Sequence, residues 1–305
     1  MNKKMSAKKT LKKGLCIATA IFFLAVGATC AQTFTDDARI LATYQKSLDS
    51  LFLKVKSVTA DDVKTQLAEN TQAISLNLLK TDKREKTGNE IYELAKPATV
   101  TVGIAYLCPR CSNSHISESS GYVIDPSGIV VTNYHVAAMY ANIGDGNKPL
   151  GLTVRMANGK IYAVKSILAC SKTNDLAIVK LVTDGEKFPV LPLAEAGKVG
   201  DDVYVLGHPK GMHYFFSKGI VTNKYMEEAG EINKKFFREM MAISADYATG
   251  SSGGPVMDRY GNVVGTVSNT KMFTHSEMNP SVQMVVKNTV PVESLWKLIQ
   301  SGSKH

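Results

Sequence analysis

Ser252 stands in the run Gly250-Ser251-Ser252-Gly253-Gly254-Pro255, where glycines free the backbone to present a hydroxyl. A serine hydroxyl is a poor nucleophile at neutral pH unless a neighbouring base takes its proton during attack. Upstream, the hydrophobic run Ile129-Val130-Val131-Thr132-Asn133-Tyr134 ends at His135, and Asp175 opens the run Leu176-Ala177-Ile178-Val179-Lys180-Leu181. A histidine can take the proton and later return it to a leaving group. A carboxylate beside it fixes the ring tautomer and stabilises the imidazolium. His135, Asp175 and Ser252 are therefore the types needed for acyl transfer through a covalent intermediate.

The glycine-flanked serine also fits a strand-turn-helix nucleophile elbow, which needs a helix after the serine and an acid and histidine downstream. Here Pro255 and a β-rich stretch follow, and the downstream pair Asp258 and His275 stands only 17 residues apart, so the upstream pair fits better. Asp184 competes with Asp175 but follows its strand in a Thr-Asp-Gly turn. His115, His208, His213 and His275 carry no matching motif and are expected to be structural or superficial.

These residues must be positioned by what surrounds them. From residue 98 onward the apolar period is short. Runs at 99–106, 121–124, 129–132, 152–156, 161–165, 175–181, 203–207, 220–223, 240–244, 256–258, 263–267 and 283–286 are β-rich, separated by Gly, Asn and Asp turns. A dozen short strands with few helical interruptions predicts an all-β sandwich or paired barrels. Residues 32–96 read instead as a helical N-terminal extension. Ile40, Leu41, Tyr44, Leu48, Leu51 and Phe52 recur at helical spacing, and Thr59 with Asp62 forms a capping box. That box opens a second helix whose apolar set extends through Ile74, Leu76 and Leu79, and a short helix at 89–96 is stopped by Pro97. A terminal helix is expected at 292–299.

The segments around His135, Asp175 and Ser252 have the forms T-N-x-H-V, D-L-A-[VI]-[LIV]-K and G-x-S-G-G-P. In that order they resemble the chymotrypsin-like (trypsin-like) serine peptidases, most nearly the bacterial HtrA/Deg-type protease domain without a PDZ module, over residues 97–300. The resemblance implies two six-stranded antiparallel β-barrels at 97–305, with a C-terminal helix. It also implies an exported serine endopeptidase acting on polypeptides through His135, Asp175 and Ser252, with the N–H groups of Gly250 and Ser252 as oxyanion hole. Val267, Ser268 and Asn269 resemble the strand that pairs with substrate backbone. Asp246, six residues before Ser252, stands where trypsin-like enzymes place the base of the primary specificity pocket, and a carboxylate there would favour Lys or Arg. Ser251 replaces the aspartate that pairs with a freed N-terminus in enzymes activated by cleavage, so no internal cut is expected. The rival reading is a catalytically silent homologue that binds peptides or a partner.

Composition bounds the rest. Six of the nine net positive charges are lysines within residues 1–31, followed by an apolar run and small residues, the anatomy of a secretory signal peptide. Cleavage after Ala31 is expected, with a lipid on Cys30 as the alternative, giving a periplasmic or secreted chain without a stable membrane span. The remainder is nearly charge-balanced and lacks the basic face of a nucleic-acid binder. No cofactor or metal is expected, and residues 32–96 offer a surface for oligomerisation. Export leaves Cys108, Cys111 and Cys170 in an oxidising compartment. Cys108 and Cys111, with His115 nearby, lack a second CxxC for a four-ligand zinc site and the βαβ context of a redox motif. They are expected to form a local disulfide, leaving Cys170 as a buried free thiol.

Overall fold

The computed structural model describes residues 32, 34–111, 113–231 and 234–301, so the expected signal segment, with Cys16 and Cys30, lies outside the described residues. The chain begins with helices α1 (Asp37–Lys54) and α2 (Ala60–Glu69), a three-residue strand β1 (Ile74–Leu76) and helix α3 (Gly88–Ala95). The Thr59–Asp62 capping box is formed, and a second joins Thr87 to Glu90 at the start of α3. The second helix is shorter than its apolar pattern suggested. It ends at Glu69, and Ile74 and Leu76 belong to β1, which pairs in parallel with β14 (Ile299–Ser301) near the other end of the chain. A tertiary partner decided the state of that segment over its local period.

Six antiparallel strands then close the first barrel. They are β2 (Thr99–Leu107), β3 (Ser114–Asp125), β4 (Ile129–Thr132), β5 (Lys148–Arg155), β6 (Ile161–Ser171) and β7 (Leu176–Leu181). Helix α4 (Tyr134–Ala141) interrupts them after β4. The second barrel closes with β8 (Asp202–Gly207), β9 (Phe215–Glu231), β10 (Lys234–Ile243), β11 (Pro255–Met257), β12 (Val263–Thr274) and β13 (Val282–Pro291). Helix α5 (Val292–Trp296) follows, shorter than expected because Ile299 leaves the helical period for β14. The fold is the anticipated pair of six-stranded antiparallel barrels.

The period-two alternation of the strands explains the packing. In β3 and β4, Val123 and Val130 point into the first barrel with Val179 and Ile167. Their neighbours Tyr122, Ile124, Ile129 and Val131 face outward into a second core shared with Leu206, Met257, Val263 and Val290 of the other barrel. That shared core fixes one barrel against the other, and with it every residue pair that spans the cleft. The helices join the same unit: Val63 and Leu67 of α2 pack in the first-barrel core, Ile91 and Ala95 of α3 in the shared core, and Tyr44 and Leu48 of α1 on Ala105. Among the described residues, no helix is long and apolar enough to cross a membrane.

Candidate active site

His135 does not end a strand; it sits in the first turn of α4, directly after β4. The first N–H groups of a helix have no partner within it. Asp175 supplies one, because its Oδ1 accepts the backbone N–H of His135 at 3.0 Å, while both carboxylate oxygens lie 3.0 Å from His135 Nδ1. The same carboxylate thus caps the helix and orients the ring. Asp175 adopts a left-handed backbone (φ 52°), and the Asn133 side-chain amide donates to its carbonyl at 2.8 Å. A third donor, Ser268 Oγ, reaches Asp175 Oδ2 at 2.8 Å from the second barrel. The Asp175 side chain is 11% exposed, and both of its carboxylate oxygens are engaged.

Ser252 lies on the loop before β11, and first-barrel residues hold that loop in place. Ser120 N–H and Ser119 Oγ both donate to the Ser252 carbonyl at 2.9 Å, and Ser120 Oγ donates to the Gly250 carbonyl at 2.8 Å. Gly250 (φ 100°) and Gly253 (φ 85°) need the left-handed region, and an added Cβ would run into the His208 carbonyl or into Ser120 O and Thr132 Oγ1 respectively. The N–H groups of Ser251, Gly253 and Gly254 are bonded to Ala248, Val267 and Ser251 carbonyls. Among the described residues, those of Gly250 and Ser252 have no acceptor. Ser252 Oγ donates to the Ser268 carbonyl at 3.2 Å, not to His135.

On the His135 and Asp175 side of this centre lies a cavity of about 650 Å³, lined also by Met139, Arg238, Ser268 and Asn269 among others. Ser268 forms a bulge between the Val267–Thr289 and Asn269–Asn288 pairs, which aims its hydroxyl at Asp175 and its carbonyl at Ser252. Arg238 arrives from the long β9–β10 hairpin, paired with Glu227 at 2.6 Å. Asp246 stands elsewhere. Its side chain is 79% exposed, lies 3.5 Å from Lys287 Nζ, and borders a separate cavity of about 710 Å³. A carboxylate already facing a lysine is a weak anchor for a basic substrate side chain.

The expected disulfide between Cys108 and Cys111 is not formed; both are free thiols, and Cys111 Sγ lies 2.8 Å from His115 Nε2. Cys170 is free and buried as anticipated. The roles of Ser268, Ser119, Ser120 and Asn133 were not read from sequence. Each acts across a long chain separation, so no local pattern marks it, and the run expected as a strand begins at Gly121, after Ser119 and Ser120 of β3.

Residues 119–265 match the family of the trypsin-like peptidase domain. The chain is 30% identical over 191 residues to the chloroplastic Protease Do-like 5 of Arabidopsis thaliana, covering 61% of this chain and 58% of that protein. It is 33% identical over 188 residues to a DegP-like periplasmic serine endoprotease of Pseudomonas savastanoi, covering 61% and 36%. With the serine protease HhoA of Synechocystis it shares 31% over 167 residues, covering 53% and 39%. The chain thus spans from about a third to somewhat over half of these relatives' lengths. Similarity of sequence and arrangement of strands agree on a trypsin-like peptidase domain over residues 119–265.

Proposed function

We propose that this chain is an exported serine endopeptidase. The observation that carries the proposal is the pair of N–H groups at Gly250 and Ser252, without internal acceptors, beside a serine, a histidine and a buried carboxylate drawn from both barrels. In the proposed reaction an extended polypeptide pairs with the β12 backbone at Ser268–Asn269 by strand addition, while Val267, whose N–H and carbonyl are already bonded to Gly254 and Gly253, takes no part in that pairing. Ser252 Oγ turns from the Ser268 carbonyl toward His135, gives up its proton and bonds to the scissile carbonyl carbon. The carbonyl oxygen becomes an oxyanion facing the two free N–H groups, each such donor contributing about 3 kcal/mol in comparable sites. His135 then protonates the leaving amine, and water hydrolyses the acyl-enzyme by the same steps in reverse.

The donors are free in an uncut chain, which supports activity without internal cleavage. The exposed Asp246, with Lys287 3.5 Å away, supports uncharged over basic residues at the primary specificity position. Export is supported by the lysine-rich, apolar start of the sequence and by the periplasmic relatives. The bond from Ser252 Oγ to Ser268 favours the rival, a peptide-binding homologue without turnover. A fluorophosphonate probe separates the two: the enzyme is labelled covalently and Ser252→Ala is not. A folded wild type that resists labelling would reject the enzyme reading.

A further inference from the structure

The tip of the β2–β3 hairpin carries a cluster the proposed reaction does not use. The last paired residues are Leu107 and Ser114, with Cys108 and Cys111 in the loop beyond and His115 the next residue of β3. Their ligand atoms, Sγ, Sγ and a ring nitrogen, all lie within 4.8 Å of one another. The arrangement is built by its surroundings. His115 is opposite Tyr106 in the strand pair and stacks on its ring at 5.6 Å, so the imidazole is held over the loop. The Arg110 backbone N–H points at Cys108 Sγ at 3.3 Å, which fixes where that sulfur sits in the loop. Cys111 Sγ already meets His115 Nε2.

We propose that Cys108, Cys111 and His115 form a binding site for a thiophilic divalent cation, Zn²⁺ by its chemistry. Two thiolates and an imidazole suit tetrahedral zinc, with sulfur at about 2.3 Å and nitrogen at about 2.0 Å from the metal. The fourth position opens toward solvent, since Cys111 is exposed, and takes water. Binding displaces the two thiol protons and competes with oxidation of the same cysteines. The metal would clamp the hairpin tip, where Ser114 Oγ also donates to Asp49 of α1 at 3.0 Å. It lies about 15 Å along β3 from the serines that hold the Ser252 loop, so its direct action is on stability.

The full chain, reduced and stripped of metal, is titrated with Zn²⁺ against a chromophoric chelator and with Co²⁺ by absorption. The expected result is one equivalent bound at least about tenfold more tightly than by Cys111→Ser or His115→Ala, with the thiolate-to-cobalt charge-transfer band of a tetrahedral site. In unmutated chain one equivalent of Zn²⁺ should also protect Cys108 and Cys111 from alkylation. Equal affinity in wild type and both variants, or alkylation rates that zinc does not change, would overturn the proposal. So would a Cys108–Cys111 disulfide that forms in the presence of zinc and reductant.

Discussion

Ser268 touches two of the three residues proposed to carry the chemistry, and does so from the opposite barrel. Its hydroxyl bond to a largely buried carboxylate is of the charge-assisted kind, contributing about 1.5–3 kcal/mol. Ser268→Ala is expected to lower kcat by about tenfold or more with an unchanged circular dichroism spectrum; a wild-type kcat would show that Asp175 is held well enough by His135 alone. Asp246 makes the contrary case. Because Lys287 faces its exposed carboxylate, Asp246→Ser is expected to leave the ratio of cleavage at Val or Ala over Lys or Arg peptides unchanged. A collapse of basic-residue cleavage in that variant would restore the reading suggested by its position six residues before the serine.

At the scale of elements, α1 is tied to the loop after β8 by one side chain. His213, whose side chain is fully buried, lies 3.0 Å from Asp37 Oδ1 at the start of α1 and 3.1 Å from Glu118 Oε1 of β3. Burial pulls its pKa down, but the two carboxylates outweigh this and the net shift is upward from 6.5. A raised folded-state pKa adds stability that is complete below about pH 6.5 and fades as pH rises through the folded value. His208, whose ring stands 5.4 Å away, is held neutral by burial, its pKa pulled down to about 3. His208 favours the unfolded state below about pH 6.5 in wild type and variant alike. His213→Asn is expected to cost about 3 kcal/mol near pH 6 and less near pH 9, by urea unfolding at both. A pH-independent difference would mean that folding does not raise the His213 pKa.

Across the whole molecule, the N-terminal helices cannot be removed without opening the cores. Tyr44, Leu48, Val63, Leu67 and Ile91 are all buried against the barrels. At roughly 1.5–3 kcal/mol each, their combined burial rivals a typical net stability of about 5–15 kcal/mol. A chain of residues 97–305 is therefore expected to lose the cooperative thermal transition that residues 32–305 show by circular dichroism. A sharp transition in the shorter chain would mark residues 32–96 as a separate module free to serve a partner.

The sequence by itself determined the Thr59–Asp62 capping box, the twelve strand positions and the order His135, Asp175, Ser252, because periodicity, turn residues and short motifs are local. It did not show that His135 opens a helix, that β3, β9, β10, β12 and β13 run well beyond their apolar centres, or that Ile74–Leu76 finds its partner at Ile299–Ser301. Those outcomes depend on pairing between distant segments, which can override local preference. Only the tertiary structure decided that Ser119 and Ser120 hold the serine loop, that Ser268 completes the shell of Asp175, that Lys287 faces Asp246, and that Cys108, Cys111 and His115 gather at one hairpin tip. Each of these joins residues brought together when the strands paired and the barrels closed on their shared core, and hydrogen bonds and charge pairs act over ångströms of space whatever the separation along the chain.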